Sequence, residues 1–396
     1  MKIAIVTDAW RPQVNGVVTT LVDLCTALHH AGHELLLIEP SAFRRLPMPG
    51  YGEIELAWRP RRRVREMLEA GRPDAIHIAT EGPLGQAARS CCIASGLAFT
   101  TAFHTRFPEF VAAATGLPQG LGYAWLRRFH RPSSGVLVPA LGTMAILERY
   151  RFANLRRWSH GIDLARFRPL PDCDLGLPRP VFLYVGRVSY EKNLEAFLNL
   201  DLPGSKVVCG GGPLLGRLQR RHPEVHWRGV VARESLVAIY NAADSFVYPS
   251  RTDTFGLVML EALACGTPVA AYPTAGPLDV VGDSDGGVLD DDLGSAALRS
   301  LAVPRERGRA QGRDPRPFTA PALEFLEAAE GVGQRRRLSA RHLGAIVVLA
   351  KLHRIGGERQ LLEEPRLEGR HRSALDGERM RRCRRQAGLI GRVARH

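Results

Sequence analysis

Short apolar runs alternating with helical stretches occur in two series along this chain, and that alternation limits the fold more than any other feature. KIAIVT precedes a helical stretch at residues 17–30, Gly32 stops it, and HELLLIEP reads as the next strand. PDAIHIAT, LAFTTAF and GVLVPA continue the series. The proline-rich FRPLPDCDLGLPRP then breaks both periodicities and reads as a linker. Beyond it the pattern restarts with VFLYVG, a helix from about Leu194, KVVCG, VHWRG, SFVYPS and TPVAAYP. Buried strands separated by helices make doubly wound, mostly parallel sheets. The expected fold is α/β, with two Rossmann-like domains at residues 1–166 and 181–304 and the linker at 167–180. The C-terminal ends of both sheets should face one cleft.

A chain of 396 residues is long enough for two such cores. The net charge of +14 suggests a nucleic-acid partner until it is located. Residues 301–396 hold 21 Arg and one Lys against 11 acids, so +11 of the +14 sits there and the body is close to neutral. No nucleic acid is therefore expected as a partner. From about Arg305 the text loses strand and helix spacing, and residues 305–396 read as an Arg-rich tail, aberrant or disordered, with one short helix at 322–330. Only five residues separate Lys2 from Asp8, too few for a signal peptide, and the apolar run at 345–350 is far below a membrane span. Seven cysteines, an odd number, suit a reducing compartment and argue against zinc.

SRTDTFGLVMLEALACGTPVAAYP, residues 250–273, is the stretch richest in chemistry. Leu257 to Cys265 are helix formers, and Gly266 and Pro268 end the run. A helix starting beside Gly256 presents free N–H groups and the positive end of its dipole, which together favour an anion. Glu261 lies four residues inside, about 6 Å along the axis, where a carboxylate could hold a vicinal diol such as a ribose. In YVGRVSYEKN, Arg187 and Lys192 flank a strand end and could meet a diphosphate. Lysine is rare here, four against 50 arginines, which singles out Lys192. CGGGPLLG lacks the full dinucleotide spacing, yet its glycines, like Gly16 in PQVNGVV, would allow close approach of a phosphate. His104 and Arg106 follow a strand and so belong at the cleft edge. The pairs Asp172/Asp174, Asp283/Asp285 and Asp290/Asp292 do not read as metal sites.

Taken together, TDAWRPQVNGV, FHTRFPE, SHGIDLARFRP, YVGRVSYEKN, GGGP and YPSRTDTFGLVMLEALACGTPV resemble the family 4 retaining glycosyltransferases of GT-B fold, over roughly residues 1–300. The resemblance implies Glu261 on the nucleotide ribose, and Asp253 and Thr254 with the amides of Phe255, Gly256, Leu257 and Val258 at the donor sugar and phosphates. It implies Arg187 and Lys192 at the diphosphate, Gly16, Gly211 and Gly212 beside it, and His104 at the sugar. His104, Arg187, Lys192 and Asp253 are then the expected catalytic residues, with no metal and no cofactor. Two features depart from the family pattern. Asp253 stands where most members have Glu, and Ala322 to Glu330 is the only candidate for the helix that returns to the N-terminal domain.

The expected activity is transfer of a hexose, mannose or glucose, from a GDP- or UDP-sugar to a hydroxyl acceptor, a lipid or glycan precursor. The enzyme is expected to be cytoplasmic and peripheral at the inner, anionic membrane face. A nucleotide-sugar epimerase of the same fold and a nucleotide-binding homologue inactivated by its C-terminus are the alternatives.

Overall fold

The computed structural model describes residues 1–307, except 14, 49–50, 159 and 283–284, together with 324–326. The remainder of the Arg-rich segment, with the flanks of the expected 322–330 helix, and Asp283 of one acidic pair lie outside the described residues. The chain forms two parallel sheets. The N-terminal strands are β1 (Lys2–Val6), β2 (Glu34–Ile38), β3 (Arg45–Met48), β4 (Tyr51–Ala57), β5 (Ala75–Ile78), β6 (Thr100–Ala102), β7 (Gly135–Val138) and β8 (Leu155–Arg157). They form a parallel sheet in the order β2-β1-β5-β6-β7-β8, while β3 and β4 make a separate antiparallel hairpin. The C-terminal strands are β9 (Val181–Val185), β10 (Ser205–Cys209), β11 (His226–Gly229), β12 (Ser245–Tyr248), β13 (Val269–Ala271) and β14 (Gly287–Leu289). Their order is β11-β10-β9-β12-β13-β14, again parallel.

Strands this short hold together because both faces are covered. Ile3, Ala4, Ile5 and Val6 are fully buried, as are Phe182, Leu183, Phe246 and Val247 in the second sheet. Apolar runs without alternation encode that two-sided burial. Each sheet also reverses its winding once, between β1 and β5 and between β9 and β12. Loops leaving the strands at such a reversal diverge and open a crevice at the C-terminal strand ends. Arg187, Lys192, Asp253, Thr254 and Phe255 sit on the loops and turns after β9 and β12, while Gly16, Leu257, Val258 and Glu261 lie on the helices that follow such loops.

The Arg-rich segment is tied to the body at two points. Arg305 donates to the carbonyls of Asn241, at 3.0 Å, and Ala243 in the C-terminal domain. Glu324–Leu326 are helical, and Phe325 and Leu326 enter the N-terminal core beside Ile3, Leu21, Leu24 and Trp158. The Phe325 ring meets the His77 ring edge-on at 4.9 Å. A segment that follows the C-terminal domain in the chain therefore completes the core of the first.

Candidate active site

The reversal between β9 and β12 brings two loops side by side. Lys192 ends a short helical turn, Tyr190–Lys192, after β9, and its Nζ lies 2.5 Å from Asp253 Oδ1 on the loop after β12. Tyr248 at the end of β12 donates its hydroxyl to the other carboxylate oxygen. Asn193 ties the loops further by donating to the Pro249 carbonyl at 3.1 Å. Burial pushes the Asp253 carboxyl up, but the Lys192 charge and hydrogen bonds from Lys192, Tyr248 and Ser250 outweigh it, so the group stays below its ordinary value. Asp253 is thus a carboxylate held ionised inside a closed ring of donors.

Gly256 follows with φ +94°, and a Cβ there would lie 2.6 Å from Met259 Cε and 2.8 Å from Tyr248 Oη. Only glycine meets both conditions. It begins the Leu257–Ala264 helix, which has no side-chain cap at its N-terminus. Positive dipole and uncapped amides therefore sit directly after Asp253, Thr254 and Phe255. Arg187 is half-buried on the loop after β9, where its carbonyl accepts the Tyr184 hydroxyl at 2.8 Å.

The glycines after β10 have protein neighbours. A Cβ at Gly210 would stand 1.8 Å from the Gly186 oxygen, and one at Gly212 2.4 Å from the Val188 oxygen. Val188 N donates to Gly211 O at 2.8 Å. Bare backbone at Gly210 and Gly212 lets this loop brace the Arg187 loop, a packing role that the sequence pattern did not separate from ligand approach.

The N-terminal domain faces this group across the cleft. Gly16 starts the Gly16–His30 helix, capped by Asn15, and a Cβ on it would be 4.0 Å from Leu257 Cδ1. The Thr254 hydroxyl donates to the His104 carbonyl at 2.7 Å, and Thr143 donates to the Thr254 carbonyl at 3.2 Å. The His104 ring stacks parallel to His160 at 6.3 Å, and His160 in turn meets Phe255 edge-on at 5.0 Å. Burial pushes the His104 imidazole down to about 4, so it is neutral at physiological pH. Its Nε2 is buried and has no hydrogen-bond partner among the described residues. A neutral ring nitrogen in that state suits a ligand hydroxyl better than a charged group.

Glu261 occupies a different wall. Arg233 approaches its Oε1 at 3.3 Å, the Tyr240 hydroxyl donates to Oε2 at 3.0 Å, and the carboxyl is almost fully buried. Burial pushes it above the ordinary carboxylate value, with Arg233 and Tyr240 opposing. Arg233 also reaches Asp23 Oδ2 on the N-terminal helix at 3.2 Å and packs over Phe167 at 5.2 Å. Nothing in the local sequence marks Arg233, since its partner Asp23 is 210 residues away. It joins the N-terminal helix to Glu261, a sequence-predicted donor residue. Glu261 Oε2, which accepts from the Tyr240 hydroxyl, keeps a second lone pair for a diol. Val258 packs into the core beneath the same helix.

The structure thus gathers Lys192, Asp253, Thr254, Phe255, Gly256, Leu257, Gly16 and His104 around one crevice, with Glu261 one helical turn deeper. Two family models match the chain: Glycosyltransferase Family 4 over residues 14–166 and Glycosyl transferases group 1 over 174–297. The chain belongs to the family 4 glycosyltransferases. The enzyme is a hexosyltransferase, similar to a GDP-mannose-dependent alpha-mannosyltransferase of Mycolicibacterium smegmatis, 28% identical over 86% of this chain and 100% of that one. An alpha-monoglucosyldiacylglycerol synthase of Streptococcus pneumoniae is 28% identical over 76% of this chain and 78% of its own. Sucrose-phosphate synthase from Thermosynechococcus elongatus shares the GT-B fold, with TM-score 0.66 and 20% identity over 82% of this chain and 97% of that chain.

The transferase offers one test within this site. Glu261→Ala is expected to weaken binding of a ribonucleotide donor by about 1.5–3 kcal/mol, the range for a hydrogen bond to a charged group. A 2′,3′-dideoxy donor should lose about as much with the wild-type enzyme and little further with the variant. Additive losses in that cycle, measured by calorimetry, would exclude a direct ribose contact.

Proposed function

We propose that the enzyme transfers mannose from GDP-mannose, with retention of configuration, to a hydroxyl of a glycolipid precursor at the inner membrane face. The observation that carries this reading is the Lys192–Asp253 pair beside the uncapped N-terminus of the Leu257–Ala264 helix, with Gly16 opposite. A diphosphate placed there meets Lys192, Arg187 and helix amides, a constellation that stabilises the charge growing on a leaving group. Asp253 and the free nitrogen of His104 accept and donate to hydroxyls of the hexose. Glu261, its rotamer fixed by Arg233 and Tyr240, accepts the ribose diol.

In this reading the bond from the sugar's anomeric carbon to the diphosphate oxygen breaks while the acceptor oxygen bonds to that carbon on the same face. The acceptor proton passes to the departing phosphate oxygen. The charge is met by protein groups, so the reading calls for neither metal nor cofactor. Mannose and GDP are favoured over glucose and UDP by the names of the relatives that match most of the chain, among them GDP-mannose-dependent mannosyltransferases of Mycolicibacterium smegmatis and Mycobacterium tuberculosis.

Thermal unfolding with GDP-mannose, UDP-glucose and UDP-galactose tests the donor. A ligand at a hundred times its Kd adds about 2.7 kcal/mol, a rise in Tm of roughly 5 °C for a protein of this size. GDP-mannose is expected to give that rise and the uridine donors much less. A larger rise with UDP-glucose would replace the donor assignment, and no rise with any nucleotide sugar would remove the donor site.

A further inference from the structure

We propose that the paired helices Phe107–Thr115 and Gln119–His130 form a membrane-docking surface that seats the enzyme on an anionic lipid bilayer. The first helix starts three residues after His104, so its outer face extends from the cleft mouth. Phe107 and Val111 on this helix, and Leu121 and Trp125 on the second, are each spaced four apart and exposed, with Leu121 64% and Trp125 52% accessible. Leu117 in the connection is exposed as well. The helices are in close contact, since a Cβ at Gly122 would lie 2.9 Å from Pro108 Cβ. Their apolar outer faces therefore belong to one rigid unit. Apolar side chains clustered this way on a soluble fold mark an interaction site.

Charge identifies the occupant. Between Glu81 and Glu148 the chain holds a single carboxylate, Glu109. It is buried, taking Arg106 at 2.7 Å and the Tyr123 hydroxyl at 2.6 Å, so it adds no negative charge to the surface. Arg128 and Arg131 are exposed at the far end of the second helix, and Arg89 donates to the Arg128 and Phe129 carbonyls at 2.9 Å. An indole, aliphatic side chains and arginines, with no exposed carboxylate on either helix, match the interfacial layer of an anionic membrane, where rings enter the headgroup region and guanidinium groups meet phosphates. The described residues contain no helix long and apolar enough to cross a membrane. Docking through this face would bring the cleft mouth to the layer that holds a lipid-linked acceptor.

This inference rests on the glycolipid reading, and co-sedimentation of the full chain with vesicles separates the two. Wild type is expected to bind phosphatidylcholine vesicles containing half phosphatidylglycerol, and to bind pure phosphatidylcholine weakly. The double variant Leu121→Glu/Trp125→Glu should need about tenfold more lipid or worse for half-binding, and Arg128→Glu/Arg131→Glu should lose the preference for the anionic vesicles. Both should keep the thermal shift with nucleotide sugar. Because every protein keeps the Arg-rich tail, a loss must arise in this face. Vesicle binding unchanged in both variants, or absent in wild type, overturns the proposal, as does a wild-type dimer that the substitutions split while vesicle binding persists. Transfer only to soluble hydroxyl acceptors, with vesicle binding through this face intact, overturns the glycolipid reading alone.

Discussion

Lys192→Ala is expected to lower turnover by about 10²–10³-fold, the loss seen when one preorganised donor to a developing negative charge is removed. Two effects combine in the variant. The diphosphate loses its nearest ammonium, and Asp253, whose Oδ1 lies 2.5 Å from Lys192 Nζ, loses the charge that keeps it ionised against burial. Binding of the nucleoside without phosphates should hardly change, because Glu261 and its partners sit on another wall. Lys192→Arg should recover part of the loss, since it restores charge with a different reach. Steady-state transfer kinetics and nucleoside titration check this. Turnover within about threefold of wild type in Lys192→Ala would remove Lys192 from the leaving-group site.

Phe325→Ala is expected to destabilise the protein by about 3–5 kcal/mol, the usual cost of emptying a buried phenylalanine site. Phe325 is 1% exposed and packs with Trp158 and the His77 ring, so the lost contacts belong to the N-terminal core despite the residue's late place in the chain. Domain stabilities are of the order of 5–15 kcal/mol, so urea unfolding followed by tryptophan fluorescence would resolve the change easily. Truncation after Gly331 keeps this segment and should leave nucleotide binding intact. If Phe325→Ala unfolds like wild type, the segment is an accessory and the core closes without it.

The strands were legible where apolar runs are continuous: KIAIVT, PDAIHIAT, VFLYVG and SFVYPS each became a buried strand. Leu155–Arg157 was not legible, because two of its three residues are arginines and it lies at the sheet's edge, partly exposed. The β3–β4 hairpin was missed because its Arg, Pro and Gly content hides the strand pattern. The helix expected from Leu257 to Cys265 runs to Ala264, its start set by Gly256 and its end by Gly266.

In the site, residue types and loop positions were readable, but partners were not. Asp253 stood out as an acid before a helix, yet its pairing with Lys192 depends on β9 lying next to β12, a long-range fact. Arg233 shows the same limit more sharply, since only the assembled domains bring Asp23 and Glu261 to it. The 305–396 segment resembled accessory text because its apolar residues come singly or in short runs among arginines. Phe325 and Leu326 are buried nonetheless, and two residues in a helical turn are too little periodic signal to declare a core contact.

The retaining reaction moves an intact hexose from a nucleotide sugar with its anomeric configuration kept. Proton NMR of the products from GDP-mannose and a lipid-linked hydroxyl acceptor reads that configuration. An α-mannoside is expected to appear in step with GDP and to be lost in Lys192→Ala. A β-mannoside, an isomerised nucleotide sugar with no GDP released, or no glycoside formed from any nucleotide sugar tried would overturn retaining hexose transfer.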